Sequence, residues 1–98
     1  MKPKGTIAAA WYRREDYQKI YDLGRKGGGM EKTFDDWKEV ADETMVQMAM
    51  QGIQVTRIVI DPDEFATWLK KTGQKSTGAS RAEFATVKAR QLDGAGES

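Results

Sequence analysis

The sequence predicts a small α+β domain in which two short strands pack with four helices. Three observations support this fold class: a length of 98 residues, one run of β-branched residues, and several helices that are marked by an N-cap residue or by a glycine at their end. Apolar residues make up 39% of the chain and charged residues 32%, as in folded globular domains. No apolar run reaches the roughly 18 residues of a membrane span. We therefore expect a cytoplasmic protein with one domain over 1–92 and a disordered tail over 93–98.

The first strand is predicted over residues 6–12, because apolar and mixed positions alternate in TIAAAWY. Its three alanines are poor strand formers, so the start of a helix is the alternative for this segment. A helix is predicted over 15–23, where tyrosine, isoleucine and leucine recur at helical spacing before Gly24. The three glycines at 27–29 then predict a flexible connector.

The long second helix is predicted over 34–51, between a capping-box-like Thr33 and Gly52. Its main apolar stripe consists of Phe34, Trp37, Ala41, Met45 and Met48. Val46 and Met50 lie on another side of the same helix, four residues apart. This second apolar side requires a second partner surface.

The second strand is predicted over 53–60, where IQVTRIVI is rich in β-branched residues. Arg57 lies among its apolar neighbours. Asp61 and Pro62 then predict the start of a helix over 62–72, with aspartate as the N-cap and proline in the first turn. A last helix is predicted over 81–90, with Ser80 as its cap.

Two helices between the strands favour an antiparallel sheet, because each helix reverses the direction of the chain. A sheet of two strands is marginal alone and leaves unpaired edges. Pairing across a two-fold axis makes four strands, so we expect a homodimer. The expected interface residues are Val46, Met50, Ile58 and Ile60. Which strand edge pairs stays open.

The absence of cysteine and histidine excludes disulfides, thiolate nucleophiles, Cys/His metal sites and His-dependent catalytic pairs. The paired carboxylates fall mainly in first helical turns, where capping and solvation explain them. We therefore expect no cofactor, no metal and no catalytic residue.

Aromatic and arginine residues near the first strand form the favoured binding surface. Its members are Trp11, Tyr12, Arg13, Arg14 and Arg57. The arginines are suited to an anionic ligand or to the acidic first turns of a partner's long helix. An alternative is a small-molecule binder or enzyme with a pocket of Trp11, Tyr12 and Arg57.

A second alternative is nucleic-acid binding by the basic third and fourth helices. The residues involved are Lys70, Lys71, Lys75, Arg81, Lys88 and Arg90. The connection between these helices is longer than a helix-turn-helix allows, and the sequence pI is only about 7.9. Charge is also uneven elsewhere: 31–64 has a net charge of −6, between basic segments at 1–30 and 65–98.

Several short motifs resemble those of small uncharacterised bacterial proteins, some of them carried on mobile elements such as integron gene cassettes. They are WYRREDY at 11–17, TFDDW at 33–37, GIQV at 52–55 and IDPDEF at 60–65 with Trp68. The resemblance covers residues 7–69 and implies a bacterial cytoplasmic origin and a compact α+β fold. It assigns no catalytic residue. Together these observations predict a non-enzymatic binding or adaptor module that acts as a homodimer.

Overall fold

The computed structural model describes the backbone of residues 5–97 and the side chains of 7–91. Its elements in chain order are β1 (Gly5–Trp11), α1 (Arg14–Leu23), a glycine loop (Arg25–Gly29), α2 (Phe34–Met50), β2 (Ile53–Val59), α3 (Pro62–Thr72) and α4 (Gly78–Glu97). The predicted α+β architecture of four helices and a two-stranded sheet is confirmed. The predicted strand over 6–12 is also confirmed over most of that segment, in preference to the alternative of a helix start.

The two strands are parallel, so the predicted antiparallel pairing is wrong. Gly5 pairs with Ile53 and Trp11 with Val59, in one uninterrupted register. A single helix provides the return path. Trp37 near the start of α2 packs against Trp11 at the end of β1, with ring centroids 5.0 Å apart.

Helix α2 has the length that this return requires. Its 17 residues extend for about 25 Å, while the 7 residues of β1 extend for about 23 Å. Helix α2 ends at Met50, directly before β2 begins beside the start of β1. The shorter α1 and the glycine loop connect β1 to α2 without adding a second full reversal, and the result is a β-α-β crossover.

In the hydrophobic core, residues of the crossover pack against residues of α3 and α4. Its buried apolar residues are Tyr12, Tyr17, Ile20, Met30, Trp37, Ile58, Ile60, Phe65, Leu69, Phe84 and Ala85. The largest of those that are wholly inaccessible to solvent are Ile20, Ile60 and Phe65. Complete burial of each such side chain stabilises the fold by about 1.5–3 kcal/mol. Most of the aromatic residues therefore serve the core.

The glycine loop has a left-handed backbone conformation, and its predicted flexibility stays a prediction. Lys26, Gly27, Gly28 and Gly29 all have positive φ angles, between 53° and 88°. Gly27 is buried against the ring of Tyr21, where a Cβ would lie 2.3 Å from Cε2. Glycine is needed here for both its backbone freedom and its lack of a side chain.

Helix α4 begins three residues before the predicted start, because Thr77 caps it in place of Ser80. The Ser80 amide donates to Thr77 Oγ1 over 3.1 Å, and the Thr77 amide donates to Ser80 Oγ over 2.8 Å. This exchange is a capping box in which serine takes the usual place of Glu or Gln. By contrast, Asp61 caps α3 as predicted and accepts from the amides of Asp63 and Glu64.

The assigned helix continues through Glu97, although the side chains of 92–98 lie outside the described part of the chain. The disordered tail expected over 93–98 therefore stays a prediction. No helix within 5–97 combines the length and the apolar character that membrane crossing requires.

Candidate functional site

The predicted binding surface is only partly assembled, and its clearest feature is the stacking of Arg57 on Trp11. The Cζ atom of Arg57 lies 4.7 Å from the centre of the Trp11 ring, and Lys38 Nζ lies 5.8 Å from the same centre. Trp11 and Arg57 share a sheet face because odd-numbered residues of the two strands are in register. Trp11 is half-buried, whereas Arg57 is exposed. The stack forms a small cationic and aromatic surface.

Arg13 and Arg14 are occupied by contacts within their own chain. Arg13 Nε donates to Asp16 over 2.7 Å at the start of α1. Arg14 donates to Asp35 over 2.8 Å, and its guanidinium lies 4.6 Å from the centre of the Phe34 ring. The acidic first turn that meets Arg14 is therefore that of the same chain's α2, and both arginines are paired within the chain.

Tyr12 belongs to the core and not to an exposed pocket. It is 5% exposed, and its ring lies 4.8 Å from that of Trp37. Burial raises the pKa of the Tyr12 hydroxyl, although the positive charge of Arg81 opposes part of this increase. The proposed pocket of Trp11, Tyr12 and Arg57 is consequently not open at Tyr12.

Only two of the four expected interface residues are exposed. Val46 is 60% exposed and Met50 is 81% exposed, on the side of α2 opposite the core. Ile58 and Ile60 are instead buried in the core, with exposures of 5% and 0%. These two isoleucines already pack against other parts of the same chain, so an interface cannot use them without unfolding.

The basic residues of α3 and α4 do not form one continuous surface. Lys70, Lys71 and Lys75 are exposed, but Arg81 is 5% exposed and lies inside the domain. Lys88 pairs with Glu64 over 2.7 Å. The buried Arg81 removes one predicted phosphate ligand, and the carboxylate of Glu64 weakens another.

These lysines line two different cavities. The α3–α4 cavity has a volume of about 490 Å³ and is lined by Lys71 and Lys88, together with Asp61, Asp63 and Glu64. The loop cavity has a volume of about 690 Å³ and lies between the glycine loop and the carboxyl end of α3. Lys70 and Lys75 line the loop cavity, so neighbouring lysines of α3 face different environments.

Comparison with protein-family models, curated proteins and solved structures found no match. The resemblance to bacterial cassette proteins therefore stays a prediction. Within the described ranges, no group of three or more Asp or Glu residues is placed to hold a metal ion.

The sequence-based prediction missed the structural role of Arg81 and the contribution of Arg25 to a cavity. Arg81 donates to the carbonyl oxygen of Gly28 over 2.8 Å, which joins α4 to the glycine loop. A possible signal was present in RKGGG, because consecutive glycines permit a left-handed turn that presents its carbonyl groups. No local pattern indicated that a residue 53 positions away would bind there.

Proposed function

We propose that the chain is a non-enzymatic binding module that forms a homodimer through the outer face of α2. We define this face by Glu39, Glu43, Val46 and Met50. The observation that carries the proposal is the exposure of Val46 and Met50, 60% and 81%, on adjacent helical turns. Exposed apolar neighbours with an acidic border are typical of an interface whose centre is apolar and whose rim is polar.

The spacing of these four residues supports a helix-to-helix contact. They follow one another at intervals of four, three and four residues, as in a coiled-coil stripe. A two-fold axis between Val46 and Met50 would place Val46 of each copy beside Met50 of the other. Glu39 and Glu43 would then lie at the edge of the contact, where water solvates them.

The sheet also supports association. Within residues 5–97, β1 and β2 pair only with each other, so each strand has an unpaired outer edge. Parallel sheets are usually covered on both faces, yet Ile7 and Val59 are 42% and 49% exposed. Both features favour association with a second copy. The acidic 31–64 segment and the basic segments around it provide complementary charge for such a contact.

Light scattering on a sizing column, at several protein concentrations, tests the proposal. We expect a mass near twice 11.0 kDa. Val46→Glu should give a monomer, because it places a negative charge at the centre of the contact. Thr44→Glu is the matched control, since Thr44 is an exposed residue on another side of α2. A wild-type monomer at every concentration, or equal dissociation by both variants, would contradict the proposal.

Nucleic-acid binding receives less support from the arrangement of charge. Lys70 and Lys71 line different cavities, and Lys71 has acidic neighbours. Salt-dependent retention on heparin that disappears when Lys70, Lys71 and Lys75 are neutralised would favour this alternative. The bacterial and cytoplasmic parts of the proposed assignment depend on the motif resemblance and on amino-acid composition.

A further inference from the structure

The loop cavity has an apolar floor and a cationic rim. Leu23, Ala66 and Leu69 provide apolar surface from α1 and α3, while Arg25, Lys70 and Lys75 provide positive charge. No carboxylate among residues 7–91 belongs to its lining. Its volume of about 690 Å³ falls within the range of small-molecule sites, about 300–1,000 Å³.

The three cations come from separate parts of the chain and have no counterion among residues 7–91. Arg25 belongs to the glycine loop, Lys70 to the end of α3, and Lys75 to the connection before α4. None of them forms an ion pair with another side chain in the described 7–91 range. The partial negative charge at the end of α3 accounts for a lysine at 70. It does not account for Arg25 or for the apolar floor.

The walls of the loop cavity are held in place by buried polar contacts. Arg81 donates to Gly28 O over 2.8 Å, and its other terminal nitrogen lies 3.4 Å from Ser76 Oγ. Gly28 and Ser76 both line the cavity, and Ser76 is 3% exposed. A fixed site loses less conformational entropy when a ligand binds. The cavity is thus organised before any ligand arrives.

The start of α4 adds further positive potential. Thr77 lines the cavity, and the helix begins at the next residue. The first amides of a helix have no acceptor within it, and the helix dipole makes this end partially positive. The direction of this potential agrees with that of the three cationic side chains.

We propose that the loop cavity binds a small organic anion with an apolar body. The apolar part would contact Leu23, Ala66 and Leu69, and a carboxylate or phosphate group would meet Lys70, Lys75 and Arg25. This site is separate from the outer face of α2, because neither Val46 nor Met50 lines it. Binding at the cavity and dimer formation are therefore distinguishable by mutation.

Nuclear magnetic resonance titration of the nitrogen-15-labelled full chain tests this proposal. Octanoate and octyl phosphate serve as probes, with octanol and inorganic phosphate supplying the apolar and anionic parts separately. We expect saturable shifts of the Gly28, Gly73 and Ser76 amides with octanoate or octyl phosphate. Whichever probe binds more tightly identifies the preferred anionic group. Shifts centred on the α3–α4 cavity or on Val46 and Met50 would overturn the proposal.

Neighbouring lysines provide a matched pair of variants. Lys70→Gln should weaken binding of the preferred probe by about tenfold, as expected for a lost hydrogen bond to a charged group. Lys71→Gln removes the same charge from the adjacent residue and should change affinity by less than ~2-fold. Equal losses in the two variants would indicate general charge attraction and overturn the specific site.

A second matched pair tests occupancy of the apolar floor. Ala66→Phe should fill part of the loop cavity and abolish saturable binding, whereas Thr67→Phe places the ring at the α3–α4 cavity. Unchanged binding by a folded Ala66→Phe protein would overturn the proposal. A single-stranded oligonucleotide that binds more tightly than both probes, with equal dependence on Lys70 and Lys71, would identify a nucleic-acid surface instead.

Discussion

The guanidinium of Arg81 donates a 2.8 Å hydrogen bond to the carbonyl oxygen of Gly28, across 53 positions of the chain. Arg81 is 5% exposed, and no carboxylate among residues 7–91 forms an ion pair with it. Its partners are neutral oxygen atoms. This hydrogen bond connects the glycine loop with α4, and both segments lie outside the sheet.

Replacement of Arg81 by alanine should destabilise the protein strongly. We expect Arg81→Ala to lower the free energy of unfolding by about 2–4 kcal/mol, because it leaves buried acceptors without their donor and opens a void. Urea denaturation followed by circular dichroism measures the change. Arg90→Ala, at an exposed position of the same helix, should cost less than ~0.5 kcal/mol. Similar losses in both variants would contradict the role assigned to Arg81.

Two glycines with positive φ provide a test of close packing in the glycine loop. A Cβ at Gly28 would lie 2.3 Å from the Ser76 carbonyl oxygen, whereas a Cβ at Gly73 would meet no atom within 4 Å. Both positions are strained for alanine, at about 1–2 kcal/mol each. We expect Gly28→Ala to cost at least ~1 kcal/mol more than Gly73→Ala, because backbone must move. Thermal and urea unfolding measure the loss of stability in each variant. Equal losses would show that the loop is loosely packed at Gly28.

Alkaline pH should destabilise the protein through its buried tyrosines. Burial raises the pKa of Tyr17 and of Tyr12 above the ordinary value of 10.0. Both hydroxyls therefore ionise more readily in the unfolded chain. Their contribution is fully present below pH 10.0 and is lost as pH rises from that value through the folded-state pKa values.

Urea denaturation between about pH 8 and about pH 11 measures this loss, with tyrosinate absorbance recorded alongside. A variant that combines Tyr12→Phe and Tyr17→Phe should show a weaker decrease over the same range. It is less stable at neutral pH, because Tyr17 also donates to the Glu31 carbonyl over 2.6 Å. Because the lysines are the same in both proteins, the difference between the curves isolates the tyrosines. Parallel curves would exclude them as the cause.

The cap of α4 can be tested with two threonines of the same helical region. Thr77→Ala should lower the free energy of unfolding by about 1 kcal/mol, since the Ser80 amide loses its acceptor. Thr86→Ala removes only a hydroxyl that donates to the Ala82 carbonyl within the helix, so it should be nearly neutral. Urea denaturation compares them, and a larger loss at Thr86 would show that Thr77 does not cap the helix.

Local signals were sufficient to predict most elements from sequence. Asp61 with Pro62 marked the start of α3, and Gly73 marked its end, so the predicted bounds agree with those observed. Thr33 similarly marked the start of α2, and its side chain accepts from the Asp36 amide. These signals act over three or four residues, a distance at which chain topology has little influence.

Strand direction and buried charge depended on contacts between distant residues. The alternation in β1 and β2 is the same in a parallel and an antiparallel sheet, so periodicity could not distinguish the two. The edge-to-face contact of Trp37 with Trp11 places the start of α2 beside the end of β1, so α2 runs back along the sheet. Likewise, nothing in the sequence distinguishes Arg81 from the other basic residues of α4. Its burial depends on an acceptor in the distant glycine loop, the carbonyl oxygen of Gly28.

The parallel crossover also determines when the sheet forms during synthesis. Gly5 pairs with Ile53, which is synthesised much later. Strand β1 therefore stays unpaired until α1, the glycine loop and α2 have been made. Closing so long a loop has an entropic cost that slows folding. Helix α2 forms from local contacts and shortens the distance between the strands beforehand. The nascent chain is therefore expected to fold around α2, with the sheet completed only after β2 leaves the ribosome.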